Sequence, residues 1–213
     1  MENGKYLRDI GEIKNIMDRS SRFISLSGLS GVFAGIYAVI GAVIANVLLS
    51  DHGSIYSDYN TLSVQSMDPD LTYQLFLVTI AVLGLAIGTA VFLTTRKAKR
   101  NDQKIWDSTS RRLLINFFAP LVAGGIFCLV LLQYRIIGLI APGMLIFYGL
   151  ALIHASRYTL GDLKSLGYAN LTLGLIATQF IGYGLYFWAV GFGVFHIFYG
   201  VWMYNKYDRK SAR

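Results

Sequence analysis

Cysteine, proline and charge are all scarce in this 213-residue chain, and each scarcity excludes something. The single cysteine, Cys128, permits no intramolecular disulfide and leaves the redox compartment unreadable. There is no CxxC pair, no HExxH, no Walker motif and no nucleophile elbow. Charged residues make up 15% of the chain against a hydrophobic share of 54%. With a mean hydropathy of +0.50, the sequence is too apolar for an ordinary soluble domain of this length.

Where charge is missing is more informative than how much. Uncharged runs of 28, 25, 22, 21 and 41 residues separate Arg22 from Asp51, Asp70 from Arg96, Arg112 from Arg135, Arg135 from Arg157, and Lys164 from Lys206. A spanning helix needs roughly 20 apolar residues, because each residue rises about 1.5 Å and the hydrocarbon core is about 30 Å thick. The last run holds two spans and a tight turn. The expectation is therefore an all-α membrane protein with six transmembrane helices, at about 24–49, 72–95, 112–132, 136–156, 166–181 and 185–205. Turns are expected at Gln133-Tyr134-Arg135 and at Gly182-Tyr183-Gly184. The chain divides into a cytoplasmic amphipathic segment (1–22), a membrane domain (23–205) and a basic cytoplasmic tail (206–213). In the first segment Tyr6, Leu7, Ile10, Ile13, Ile16 and Met17 recur at helical spacing. That suits either an interfacial helix on the membrane or a helix packed on the rest of the chain. The first apolar run is too long for the core of a cleavable signal peptide.

Lys and Arg set the orientation. With both termini cytoplasmic, every basic residue except Arg135 falls on the inner side, while Asp51, Asp58, Asp68 and Asp70 fall outside. The membrane accounts for all the basic loops, so no nucleic-acid partner is expected. Membrane lipid is, with anionic headgroups at the cytoplasmic face. The expected location is the bacterial inner membrane, multi-pass.

The chain also echoes itself. Ile16-Met17-Asp18-Arg19-Ser20-Ser21-Arg22 and Ile105-Trp106-Asp107-Ser108-Thr109-Ser110-Arg111 precede the first and third helices. Ile146-Phe147-Tyr148-Gly149 recurs as Ile197-Phe198-Tyr199-Gly200. Three helical hairpins follow, with amphipathic interfacial helices on the cytoplasmic side and the shared Asp capping a helix start. The glycine spacing from Gly174 to Gly200, with Gly182 and Gly184 at the turn, resembles the HdeD-like family of bacterial acid-resistance membrane proteins. The stretch from Tyr158 through the second Ile-Phe-Tyr-Gly is similar to six-helix membrane proteins of Bacteroidota that carry no assigned activity. The first resemblance implies a three-hairpin membrane fold, and neither implies a catalytic residue.

No Asp, Glu, Lys or Arg lies within an expected span, which argues against ion-coupled transport and leaves no paired carboxylates for acid–base catalysis. Tyr37, Asn116, Tyr148, Gln179, His196 and Tyr199 are the candidates for a polar cavity; the alternative is that they stitch helices together. Gly31, Gly35, Gly84, Gly88, Gly149 and Gly200 are candidate helix-packing positions, within the bundle or in a homo-oligomer. Pro120 and Pro142 are expected to kink the third and fourth helices. His154 and His196 differ in depth by about 13 Å of helix rise, too much to ligate one haem iron. His52, alone among acidic neighbours, is at most a weak divalent site. No catalytic residue, metal or cofactor is expected. The leading expectation is a non-enzymatic structural, regulatory or envelope-stress protein. The alternatives are a small transporter or channel for a neutral or hydrophobic solute, and a lipid-, quinone- or haem-binding module.

Overall fold

The computed structural model describes residues 27–51, 62, 68–100, 106–159 and 161–208. The amphipathic segment at 1–22, the Asp18 echo, His52 and the last five residues of the tail lie outside the described residues. Among those described there is no β-strand. Six helices follow one another: α1 (Gly28–Asp51), α2 (Pro69–Arg100), α3 (Ser108–Gln133), α4 (Ile140–Ala155), α5 (Leu163–Ala177) and α6 (Gly184–Tyr207). Short 3₁₀ turns, Ile137–Leu139 and Ser156–Tyr158, extend α4 at its two ends. Five of these, all but α5, are long and apolar enough to cross a membrane.

Local chemistry explains most boundaries. Asp68 Oδ1 accepts from the backbone N–H groups of Asp70 and Leu71, with Pro69 at the first helical position, so α2 begins where a side-chain cap and a fixed φ coincide. Asp107 caps α3 as its sequence context requires, taking the Ser110 backbone N–H at 2.7 Å. Lys97, Lys99 and Arg100 close α2, where cations complement the helix dipole. The exit from α3 is a Schellman turn. Ile136 N–H reaches Leu131 O at 2.8 Å, Arg135 N–H reaches Leu132 O at 3.0 Å, and Arg135 carries the left-handed φ of 60°. The α5–α6 turn uses Gly182 at φ 91°, a conformation that costs a glycine nothing.

Two expectations change. Pro142 is the third residue of α4, where a missing N–H removes no intrahelical bond, so it starts a helix rather than kinking one. Pro120 does lie inside α3. The fifth helix begins earlier than expected and stops at Ala177 after 15 residues, about 22 Å of rise. Successive three-residue turns then bond Gln179 N–H to Ile176 O and Phe180 N–H to Ala177 O.

The core lies among α4, α5 and α6, where Leu152, Ala155, Leu163, Leu166, Tyr199 and Met203 form one buried cluster. Helix α1 packs α2 on one side and α6 on the other, and α4 packs α3 and α5. Two of these seams are built alike. A Cβ at Gly149 of α4 would lie 2.6 Å from Leu171 N and 2.7 Å from Gly167 O of α5. One at Gly200 of α6 would lie 2.5 Å from Val32 N and 2.7 Å from Gly28 O of α1. Further along, Gly174 meets Ile146, and Gly35 meets Ile197. The repeated Ile-Phe-Tyr-Gly thus supplies an isoleucine and a glycine to the same kind of close backbone seam twice.

Candidate functional site

Helix α6 departs from α-geometry in the middle of its apolar stretch. Residues Ala189–Val194 are π-helical, and the N–H of Phe195 reaches back five residues to Val190 O. Where a helix returns from five-residue to four-residue spacing, one carbonyl is passed over. The next carbonyl in line is that of Gly191, and His196 Nδ1 lies 2.9 Å from it. A carbonyl only accepts, so Nδ1 carries the proton. In the neutral imidazole Nε2 is then the acceptor, and Tyr148 of α4 donates its hydroxyl to it at 2.7 Å. One histidine therefore satisfies the π-turn on its own helix and ties α6 to α4.

The surroundings fix this pair. His196 is 7% exposed. The Phe192 ring stacks 6.1 Å from the imidazole and packs 4.9 Å from the Tyr148 ring, and Trp188 covers Phe192 at 5.2 Å. A Cβ at Gly191 would press on Leu145 Cδ2 of α4 and lie 2.8 Å from Asn170 Oδ1 of α5, so those side chains pack directly on its backbone. Asn170 is fully buried and bonds Leu166 O through Nδ2, while its Oδ1 has no partner among the described residues. The Tyr199 hydroxyl is also buried without a partner among the described residues. Tyr148 and Tyr207 pack against the cluster that contains Tyr199.

Of the six candidate cavity residues, the structure brings together Tyr148 and His196, with Tyr199 in the adjoining cluster. The others are elsewhere. Tyr37 pairs with Thr89 of α2 at 3.3 Å. Asn116 bonds the Arg112 carbonyl of its own helix, and exposed Gln179 bonds its neighbour Thr178. The six do not line one pocket. Gly31, Gly35, Gly149 and Gly200 all sit at helix contacts, whereas Gly84 and Gly88 have nothing within 4 Å among the described residues. Asn170 and Gly191 were not among the expected residues. Asn170 was nevertheless legible as the one amide of α5, placed between Gly167 and Gly174.

Metal and haem chemistry find no ready donors here. Both His196 nitrogens are engaged, and His154 points to the exposed side of α4. Among the described residues no three His, Cys, Asp or Glu side chains gather around one point. Two open surface grooves can be described. One of about 490 Å³ lies between Pro69, Thr72, Tyr73 and Phe76 of α2 and Leu132 of α3. The other, of about 390 Å³, runs along Tyr168, Thr172 and Ile176 of α5 beside Phe195.

At the basic end of the bundle, Asp162 accepts from Lys206 at 2.6 Å and from the Tyr207 hydroxyl at 2.7 Å. Partial burial pushes the Asp162 carboxyl up, but the Lys206 and Tyr207 hydrogen bonds outweigh it and hold the group below its ordinary range. Asp107 is lowered as well, chiefly by the Ser110 backbone N–H. No family model, curated protein or solved structure matches this chain.

Proposed function

We propose that the chain is a non-enzymatic, multi-pass protein of the bacterial inner membrane with a structural or regulatory role, envelope stress among the candidates. One observation carries this reading: Tyr37, Asn116, Tyr148, Asn170 and His196 spend hydrogen-bonding groups on neighbouring helices or on their own, and the candidate polar residues do not line a shared cavity. The likeness of the Gly174–Gly200 spacing to the HdeD-like family points the same way. In this reading both termini are cytoplasmic, and Lys97, Lys99, Arg100, Arg111, Arg112, Arg157 and Lys164 face anionic headgroups. Proteoliposomes test it. Vesicles bearing the protein should pass glycerol and other uncharged solutes no faster than empty vesicles; faster flux would establish the transporter reading instead. Topology is tested by thiol labelling in a Cys128→Ser background. Ser54→Cys should react from outside the cell, and Ser211→Cys only after lysis.

A second reading, a lipid-binding module, is favoured by the apolar groove between α2 and Leu132 of α3. Mass spectrometry of the purified protein should then find a stoichiometric lipid that Phe76→Trp displaces. A lipid complement unchanged by that substitution counts against it.

A further inference from the structure

Helix α5 closes tightly on one neighbour and leaves a furrow beside another. Toward α4 the backbones meet, and a Cβ at Gly149 or Gly174 would lie 2.6 or 2.8 Å from the facing helix. Beside α6 there is instead an open groove of about 390 Å³, lined by Tyr168, Ala169, Thr172, Leu173 and Ile176 with Phe195 of α6. Tyr168, Thr172 and Ile176 recur every fourth residue, so they form one row along α5. The row rises about 12 Å, within the roughly 15 Å of hydrocarbon that one leaflet contributes. A lysine stands at the end of this row nearest the start of α5. Lys164 lies one turn before Tyr168, and its ammonium sits 5.5 Å from the centre of the Tyr168 ring. Tyr168 is thus both the platform under a cation and the first side chain of an apolar groove. Lys164 is exposed and has no carboxylate partner among the described residues. Asp162, two residues earlier, is turned to Lys206 and Tyr207. The groove between α2 and Leu132 differs, because no basic residue lines it.

We infer that the groove beside α5 and α6 holds one anionic phospholipid of the inner leaflet. An acyl chain lies along Tyr168, Thr172 and Ile176 against Phe195, and Lys164 takes the charged headgroup. Charge complementarity selects the class of lipid. The phosphate of phosphatidylcholine is neutralised by its own choline, whereas phosphatidylglycerol keeps a net negative charge for the lysine. Cation, half-exposed phenol and apolar furrow succeed one another in the order of phosphate, glycerol ester and acyl chain. A lipid seated there fills the furrow that α5 and α6 leave between them. The assignment rests on the reading that the basic end of the bundle lies in the cytoplasmic headgroup layer, and it names one lipid in that layer.

Native mass spectrometry of the full chain tests this, with phosphatidylglycerol and phosphatidylcholine of identical acyl chains added to the detergent. The wild type should retain a single phosphatidylglycerol and bind it about fivefold tighter than phosphatidylcholine, the worth of one lysine at an anionic surface. Lys164→Ala should erase that preference and bring the two lipids to one affinity. Thr172→Trp occupies the groove from an exposed position and should weaken both lipids several-fold while keeping the preference. Ile176→Trp, at the deep end of the same row, is the second groove variant. Lys99→Ala, at the exposed end of α2, should change neither affinity. A thermal midpoint equal to that of the wild type without lipid confirms that each variant is folded. Equal affinities of the wild type for the two lipids, or a preference that survives Lys164→Ala, would overturn the site. So would a preference lost as fully in Lys99→Ala, or groove variants that bind both lipids as well as the wild type. Any of these leaves the membrane topology standing, because the thiol labels at Ser54→Cys and Ser211→Cys read that separately.

Discussion

Helices α4 and α2 both carry glycine on an apolar surface, and they use it in opposite ways. Gly149 presses its backbone onto Gly167 and Leu171 of α5, so the helices approach until main chain meets main chain. Gly84 and Gly88 form a small-xxx-small pair, and among the described residues they touch nothing within 4 Å. The difference is not in α2 itself. It lies in whether the neighbouring helix offers a small or open backbone position at the same height. In apolar surroundings helices gain little from hydrophobic burial against each other, so close packing becomes the main attraction. A glycine motif is then half of an interface, and the half alone is silent.

The largest expected effect comes from filling a closed seam. Gly149→Val and Gly200→Val would each drive a branched Cβ into a backbone nitrogen that lies 2.6 or 2.5 Å away. Backbone cannot swing aside, so the helices must part, at a cost of about 3 kcal/mol. Thermal denaturation in detergent should show both variants strongly destabilised, and by similar amounts if the two seams are equivalent. A large loss at one position and none at the other would break the equivalence.

Second in size is the tie between α4 and α6. His196→Leu leaves the Gly191 carbonyl and the Tyr148 hydroxyl unpaired and should cost about 1–3 kcal/mol. Tyr148→Phe strands only Nε2 and should cost less. A double-mutant cycle between the two should give a coupling of about 0.6–1.7 kcal/mol, the range seen for hydrogen bonds between membrane helices. A coupling of zero would mean that the pair does not bond.

The third test concerns α3, whose start depends on one carboxylate. Asp107→Ala should cost about 1 kcal/mol, as N-cap losses do. The Asp107 carboxyl titrates below its ordinary value in the folded chain. Its contribution is therefore complete above the unfolded carboxylate range and disappears as pH falls through the lower folded value. The stability gap between wild type and Asp107→Asn should close in strong acid. A gap that widened there would contradict the cap.

The same contrast explains what could be read beforehand. Five of the six helices expected from charge-free runs are long and apolar enough to cross a membrane, because a charge-free run leaves a mark on every residue. The caps and turns were legible for a similar local reason: Asp107 and Gly182 act within three or four residues of themselves. The site was only half legible. Tyr148 and His196 stood out as rare polar groups, but their bond joins residues 48 apart in sequence. The π-turn that gives His196 its second partner spans Ala189–Val194, where Gly191 packs against α4 and α5, and composition carries no signal for it. Gly84 and Gly88 looked like Gly31 and Gly35 for the same reason, since spacing records one surface and never its partner.

The smallest expected effect is also the sharpest test of that statement. Gly84→Ala and Gly88→Ala place methyl groups where nothing stands within 4 Å, so no contact is lost and no neighbour must move. Alanine also restricts the unfolded backbone and favours the helix. The double variant should therefore be stabilised by about 0.5–1 kcal/mol per site or left unchanged. Its sign is what matters. Measured at low protein concentration, a gain means that this face of α2 meets only lipid. A loss that grows with protein concentration would mean that a second copy packs on Gly84 and Gly88, and the silent half of the interface would have found its partner between chains.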